Sequence, residues 1–298
     1  MQALRDIPSV QVDLIAGTTI LSYMKTTANL VIKFSKTRTI VGKQMSPDVA
    51  LFSSRGPSSF SLSVLKPDIA APGVYILAAW SPTIHPNWSP AAIKFALVTT
   101  ASLENEYNQY IGAEGAPYKQ ADPFDYGGGH VNPNKVTDPG LIYDLENKDY
   151  INFLCSIGYN NTTITLLTGS PTKWFKSPKF MLNMNLPSIT IPELKQPLTI
   201  TRTVTNVGPI ISTYVVCVVA PIGISVTVEP TLLRFSDKQK KMKFKVNVSS
   251  MLRVRSTLSF GYLFWEDGLH EVGIPLAVDY GLTITPVCRR VVIHSIGV

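Results

Sequence analysis

Two periodicities divide the chain. Between residues 185 and 280, apolar and polar residues alternate in short runs: Leu198–Val204, Thr213–Val219, Ser225–Val228, Lys243–Val248, Tyr262–Trp265 and Val272–Val278. A period of two turns one side of each run inward, as in a strand buried on one face. Asp267-Gly268, between the last two runs, is a hairpin signal. The spacing predicts a seven-strand sandwich of roughly 100 residues. Upstream the period lengthens. Gly17–Thr27 reads as a short helix opened by Thr18 or Thr19, with Ile20, Leu21 and Met24 on one face. Leu30–Phe34 reads as a strand. Ser89 suits an N-cap and Pro90 the first helical position; Ala92, Ile93, Ala96 and Leu97 follow at helical spacing to about Thr100. Another helix opens near Asn147, lines Tyr150, Ile151, Leu154 and Cys155 on one face and ends at Gly158. Short apolar strands are expected at Val49–Phe52 and through Ile76–Ala78.

Composition narrows this little. The 298 residues are 45% hydrophobic and 16% charged, a globular balance rather than a disordered one. The net charge of +7 is spread out, apart from Lys238–Lys245. Within that run Met242, Phe244 and Val246 alternate with the lysines, so it reads as the solvated face of a strand and not as a polyanion-binding patch. No nucleic-acid partner is expected. Cys155, Cys217 and Cys288 form neither a disulfide framework nor a metal motif, and no metal or cofactor is expected. No run of 18 apolar residues exists, so no membrane span is expected, and the opening residues do not read as a signal peptide. Three sequons, beginning at Asn160, Asn161 and Asn247, suit a secretory history as possible glycosylation sites; Pro90 makes the one at Asn87 a poorer acceptor.

Several segments together carry a resemblance. They are Phe52-Ser-Ser-Arg-Gly-Pro57, Leu65-Lys-Pro-Asp-Ile-Ala-Ala-Pro-Gly-Val74, Ile76-Leu-Ala-Ala-Trp80 and His85-Pro-Asn-Trp-Ser-Pro-Ala-Ala-Ile-Lys94. Tyr126-Gly-Gly-Gly-His-Val-Asn-Pro133, Asp138-Pro-Gly-Leu-Ile-Tyr-Asp144 and Asp149-Tyr-Ile-Asn-Phe-Leu-Cys155 come next. Leu186-Pro-Ser-Ile189, Arg202-Thr-Val-Thr-Asn-Val-Gly208 and Trp265-Glu-Asp-Gly268 complete the series. In this order they resemble the C-terminal part of plant subtilases, the subtilisin-like serine proteases. The resemblance implies an α/β parallel-sheet catalytic domain followed by an all-β fibronectin type III-like sandwich. Residues 1–43 would be the end of a protease-associated insertion and its return strand. Residues 44–178 would be the last part of the catalytic domain, and 185–280 the sandwich. Residues 281–298 stay an unassigned tail.

The same resemblance exposes a gap. The family carries its nucleophile in a Gly-Thr-Ser-Met segment between Ala-Ala-Trp and His-Pro-x-Trp-Ser-Pro. Here Trp80-Ser-Pro-Thr83 joins Ile84-His-Pro86 directly, and no Gly-Thr-Ser occurs anywhere. The family's catalytic Asp and His and its oxyanion Asn lie upstream of the inserted domain and have no counterpart. Of the four histidines, His85 reads as structural, His130 follows a triple glycine that reads as a tight turn, and His270 and His294 lie in the last hairpin and the tail. None pairs with a Gly-x-Ser-x-Gly elbow, so no catalytic residue is assigned. Two functions are expected. One is a truncated member of the serine endopeptidase family, acting on secreted proteins when intact and inactive as this chain. The other is a non-catalytic interaction module that binds a protein through residues 185–280. The family implies an extracellular or cell-wall location.

Overall fold

The computed structural model describes residues 12, 14–27, 29–33, 47–73, 87–115, 117–170, 178–251 and 258–279. The chain divides into a unit at Met1–Gln44 and a unit at Met45–Val298. In the first, α1 spans Leu14–Thr26 and starts earlier than its spacing suggests; Ile20, Leu21 and Met24 are exposed. Among the described residues Leu30–Lys33 pair with no strand, and Phe34 lies outside them.

The second unit begins with a three-stranded sheet. Strand β1 (Asp48–Val49) runs parallel to β2 (Gly112–Ala113), which pairs antiparallel with β3 (Lys119–Gln120). Helix α2 (Pro90–Thr99) has the expected cap: Ser89 Oγ accepts from Ala92 N at 2.9 Å, with Pro90 at the first position. Its buried face differs from the expected one. Ile93 is exposed, whereas Ala91, Phe95 and Val98 join Ala92 and Ala96 inside, because the helix is covered on more than one side. Short helices α3 (Pro123–Tyr126) and α4 (Pro133–Val136) follow, each opened by a proline behind an Asp122 or Asn132 cap. Next come β4 (Leu141–Ile142), α5 (Asn147–Ser156), α6 (Asn161–Thr168) and α7 (Pro178–Asn183).

The sandwich strands are β5 (Ile189–Ile191), β6 (Leu198–Asn206), β7 (Ser212–Val219), β8 (Ile224–Glu229), β9 (Leu232–Phe235), β10 (Lys241–Ser250), β11 (Ser259–Glu266) and β12 (Glu271–Val278). They form one sheet in the order β4-β6-β10-β8 and another in the order β5-β12-β11-β7-β9. The alternating runs are all strands. Lys241, Lys243 and Lys245 face solvent on β10 while Phe244, Val246 and Val248 are buried. At the centre, Phe244 and Trp265 meet edge to face, 5.1 Å between ring centroids, joining the two sheets. The sandwich also takes strands the alternation does not announce. The two- and three-residue strands β4 and β5 are too short for a period to show, and β9 follows β8 across only Pro230 and Thr231.

Strand β4 lies well upstream of residue 185, yet it pairs with Asn206 and Thr205 of β6. Leu141, Tyr143 and Leu145 are buried in the same core as Ile200, Phe244 and Trp265, and so are Ala91 and Phe95 of α2. On the opposite sheet, the outward row of β11 seats the upstream residues. Phe260 meets Phe124 of α3 at 5.2 Å, and the Tyr262 and Tyr126 hydroxyls are 2.9 Å apart. The core therefore runs without a break from α2 to β12.

One side chain on β6 departs from its face. Ile200, Arg202 and Val204 all point inward, and Arg202 is 3% exposed. Its guanidinium donates to the carbonyls of Leu186 (3.1 Å), Leu182 (2.8 Å), Thr201 (3.1 Å) and Ser188 (2.9 Å). Burial pulls its pKa down to about 10, so it stays charged at neutral pH. Beside it, Asn183 Oδ1 accepts from Thr201 N at 2.8 Å, Asn185 Oδ1 accepts from Thr203 N at 2.8 Å, and Asn185 Nδ2 donates to Thr203 O at 2.9 Å.

Two outcomes follow from this packing. Arg202→Met would leave buried carbonyls without donors at about 1–3 kcal/mol each. A loss of about 3–5 kcal/mol in chemical denaturation is expected; a midpoint equal to the wild type would show that the carbonyls find other donors. Limited proteolysis should leave a resistant core that begins upstream of Leu141, because cutting behind β4 strips three buried side chains worth about 1.5–3 kcal/mol each. A stable fragment beginning near residue 185 would count against the continuous core.

Candidate functional site

The motif residues converge on the seam between the first half of the second unit and the sandwich. Arg55 donates to Asp122 at 2.9 and 2.6 Å and also pairs with Asp125; Lys119 bridges the same two carboxylates, 2.9 Å from Asp122. Burial would raise the Asp125 pKa, but hydrogen bonds from Arg55 and Lys119 hold it below the usual carboxylate range. Asp68 is bridged by Lys66 and, at 2.8 Å, by Lys94 of α2. The Ser89 hydroxyl that caps α2 also donates to Asp144 Oδ1 at 2.5 Å. These charges and hydroxyls are committed to one another, which makes them stitches and not reagents.

The triple glycine shows why its residue type is required. A Cβ on Gly127, Gly128 or Gly129 would fall 2.2, 2.4 or 2.5 Å from the carbonyl oxygens of Asp68, Val98 and Ser102. Gly128 N donates to Asp68 O and Gly129 N to Tyr126 O. The loop is a close-packed turn whose N–H groups point at protein carbonyls, not an anion nest.

His130 follows this turn and lines a cleft of about 700 Å³ with Ser53, Ser54 and Asp125. The combination invites comparison with a serine–histidine–carboxylate triad, but the carboxylate is engaged elsewhere. Asp125 belongs to Arg55 and Lys119. Burial lowers the His130 pKa, and the ring meets the backbone of Val131. A second cleft of about 820 Å³ opens beside Tyr126 and Tyr262, lined by Asn105, Asn108, Gln120 and Glu271 among others. It holds amides and carboxylates without a nucleophile–base pair. Among the described residues no group of three or more His, Cys, Asp or Glu side chains could hold a metal ion, and no helix is long and apolar enough to cross a membrane.

His270 has partners that the sequence does not reveal. Nδ1 lies 2.8 Å from Asp267 Oδ2 and Nε2 lies 3.2 Å from Asp138 Oδ2. Asp267 is three residues away in the hairpin and could be foreseen as a turn cap, but Asp138 comes from a distant segment. His85, His294, Cys288 and the Thr83–Ile84 junction lie outside the described residues, as does the expected strand at Ile76–Ala78.

The sequon asparagines are not gathered into one place. Asn160 is exposed and caps α6, its Oδ1 accepting from Thr163 N at 2.8 Å; Asn161 is the first, exposed residue of that helix. Asn247 sits half-buried on the outward face of β10. Its Oδ1 accepts from Thr199 Oγ1 at 2.7 Å and its Nδ2 donates to Thr227 Oγ1 at 3.4 Å.

Comparison with known proteins accounts for this architecture. A fibronectin type-III domain model matches residues 183–278. The Arabidopsis thaliana subtilisin-like protease SBT3.5 is 46% identical over 303 residues, covering 92% of this chain and 39% of the relative. Its paralogues SBT3.7 and SBT3.6, from the same plant, are 47% and 46% identical over the same shares of each chain. The chain thus spans about two fifths of the length of the curated relatives it matches. By sequence it is a relative of the subtilisin-like proteases of plants over nearly all of its length, with a fibronectin type-III domain at residues 183–278.

Proposed function

We propose that this chain is a subtilisin-like serine endopeptidase relative that performs no peptide-bond hydrolysis by itself. The observation that carries the reading is a pair of facts: 46% identity across 92% of the chain, and no Gly-Thr-Ser anywhere in it. The chemistry needs a serine, a histidine in hydrogen-bond reach, an orienting carboxylate and oxyanion donors. His270 and the carboxylates Asp122, Asp125 and Asp68 are held in structural pairs, the His130 ring meets the backbone of Val131, and the Ser89 hydroxyl is spent on its helix cap and on Asp144. An intact relative would cleave peptide bonds in secreted proteins, and kinship with that family supports a location outside the cell or in the cell wall.

The purified chain should not be labelled by a serine-directed fluorophosphonate probe. Losing triad members costs about 10⁴-fold or more in rate. Stoichiometric labelling that disappears on denaturation would refute the proposal.

Passage through the secretory pathway has its own test. When a leader is supplied, the Asn160/Asn161 pair should carry one glycan, since both residues are exposed at the start of α6. Asn160 can keep its Oδ1 cap while Nδ2 bears the sugar. Asn247 is the other acceptor, its side chain on the outward face of β10. Glycosidase treatment of secreted material should lower its mass, and Asn160→Gln with Asn161→Gln should reduce that shift by one glycan. Secreted chain whose mass is unchanged by the enzyme would exclude modification at all three positions.

A further inference from the structure

His270 stands where the β11–β12 hairpin meets the turn Asp138–Gly140 that leads into β4. Its ring is 9% exposed and lies between two carboxylates, Asp267 at Nδ1 and Asp138 at Nε2. Carboxylates only accept hydrogen bonds, so both contacts are satisfied together only by the doubly protonated ring. A neutral ring must turn one lone pair toward a carboxylate oxygen. Asp267 cannot yield: it is 7% exposed, and its Oδ1 accepts from the N–H groups of Leu269 (2.9 Å) and His270 (2.6 Å). Asp138 is 69% exposed. Loss of the proton therefore opens the Asp138 contact and keeps the Asp267 one.

The turn behind Asp138 is pressed against the same residues. Gly140 has φ +70°, and a Cβ there would lie 2.5 Å from the Tyr214 hydroxyl and 2.7 Å from the His270 ring. Gly140 O accepts from Val207 N at 2.9 Å and from Gly208 N at 3.1 Å. Both amides lie on the connection from β6 to β7; Gly208 N also donates to Asn206 Oδ1 at 3.1 Å, so Val207 is the amide that reports whether the turn is seated.

We propose that His270, clamped between Asp267 and Asp138, is an acid-set latch that holds the Asp138–Gly140 turn on the sandwich and releases it as the pH rises. Burial works against the charged ring, but the hydrogen bonds with Asp267 and Asp138 outweigh it and raise the His270 pKa above its ordinary value. The latch is complete below the unfolded-state value of about 6.5 and is lost as the pH climbs through the higher folded-state value. Burial alone would raise Asp267, but its hydrogen bonds with His270 and the backbone hold it below the usual carboxylate range, so it remains an acceptor throughout. Tyr214 on β7 is pushed up by burial and by Asp267, so its hydroxyl stays neutral. Glu271 of β12 and Lys135 of α4, 3.8 Å apart, are the other charged groups at this corner. The contact between the Asp138–Gly140 turn and the hairpin is thus tightest on the acidic side of the His270 titration.

Amide hydrogen exchange of the full chain between about pH 5.5 and 8.5, corrected for intrinsic rates, tests the latch. Protection of Val207 should fall with rising pH, by about tenfold for each unit by which the folded pKa exceeds 6.5. His270→Gln should show low protection at every pH. Asp138→Asn keeps the Asp267–His270 pair and should move the midpoint to lower pH. Wild-type protection independent of pH, or a pH dependence that survives in His270→Gln, would overturn the proposal. If His270→Gln does not fold, Asp138→Asn decides, and a midpoint identical to the wild type overturns it.

Discussion

A single guanidinium sets the frame for the two-sheet core. Arg202 occupies an inward position on β6 between Ile200 and Val204, where alternation calls for another aliphatic residue. It is surrounded by main-chain carbonyls and not by a carboxylate: Leu182 at the end of α7, then Leu186 and Ser188 on the approach to β5. Fixing residues 182–188 against β6 fixes where β5 begins. Strand β5 in turn lies parallel to β12 at the margin of the other sheet. The charge therefore joins the sheets by ordering a segment that belongs to neither. Such a group is costly to bury and costlier to leave half satisfied, which is why all its contacts must form together.

The same logic extends to the seam. Arg55 with Asp122 and Asp125, Asp68 with Lys66 and Lys94, and Ser89 with Asp144 each tie segments that are far apart in sequence. Exposed ion pairs contribute little, but Asp125 is largely buried and is held from two sides. With Phe260 and Tyr262 packed under α3, the fibronectin-like sandwich and the residues before it share one interior.

Much of this was legible in the sequence. The alternating runs, the lysine face of β10, the Ser89–Pro90 helix start and the stop at Gly158 follow from local rules, because each depends on residues a few positions apart. What escaped was long-range. Ile93 reads as apolar and inward, yet neighbours from β4 and β12 decide which face of α2 is covered. Strands β4 and β5 exist only because longer strands offer them an edge. The Asp138–His270 bridge spans two segments whose closeness is a property of the finished fold.

The margin of β6 has one more consequence. The N–H of Thr201 and both backbone groups of Thr203 are taken up by the side-chain amides of Asn183 and Asn185, the C=O of Thr201 accepts from the Arg202 guanidinium, and β4 covers Thr205. A nine-residue strand with an open side would be a template on which another polypeptide could add itself. Here amide side chains and a two-residue strand occupy the positions that a foreign strand would need. The margin is closed to intermolecular pairing without adding a full-length neighbour, so solubility at this side of the molecule rests on two asparagines, one arginine and a two-residue strand.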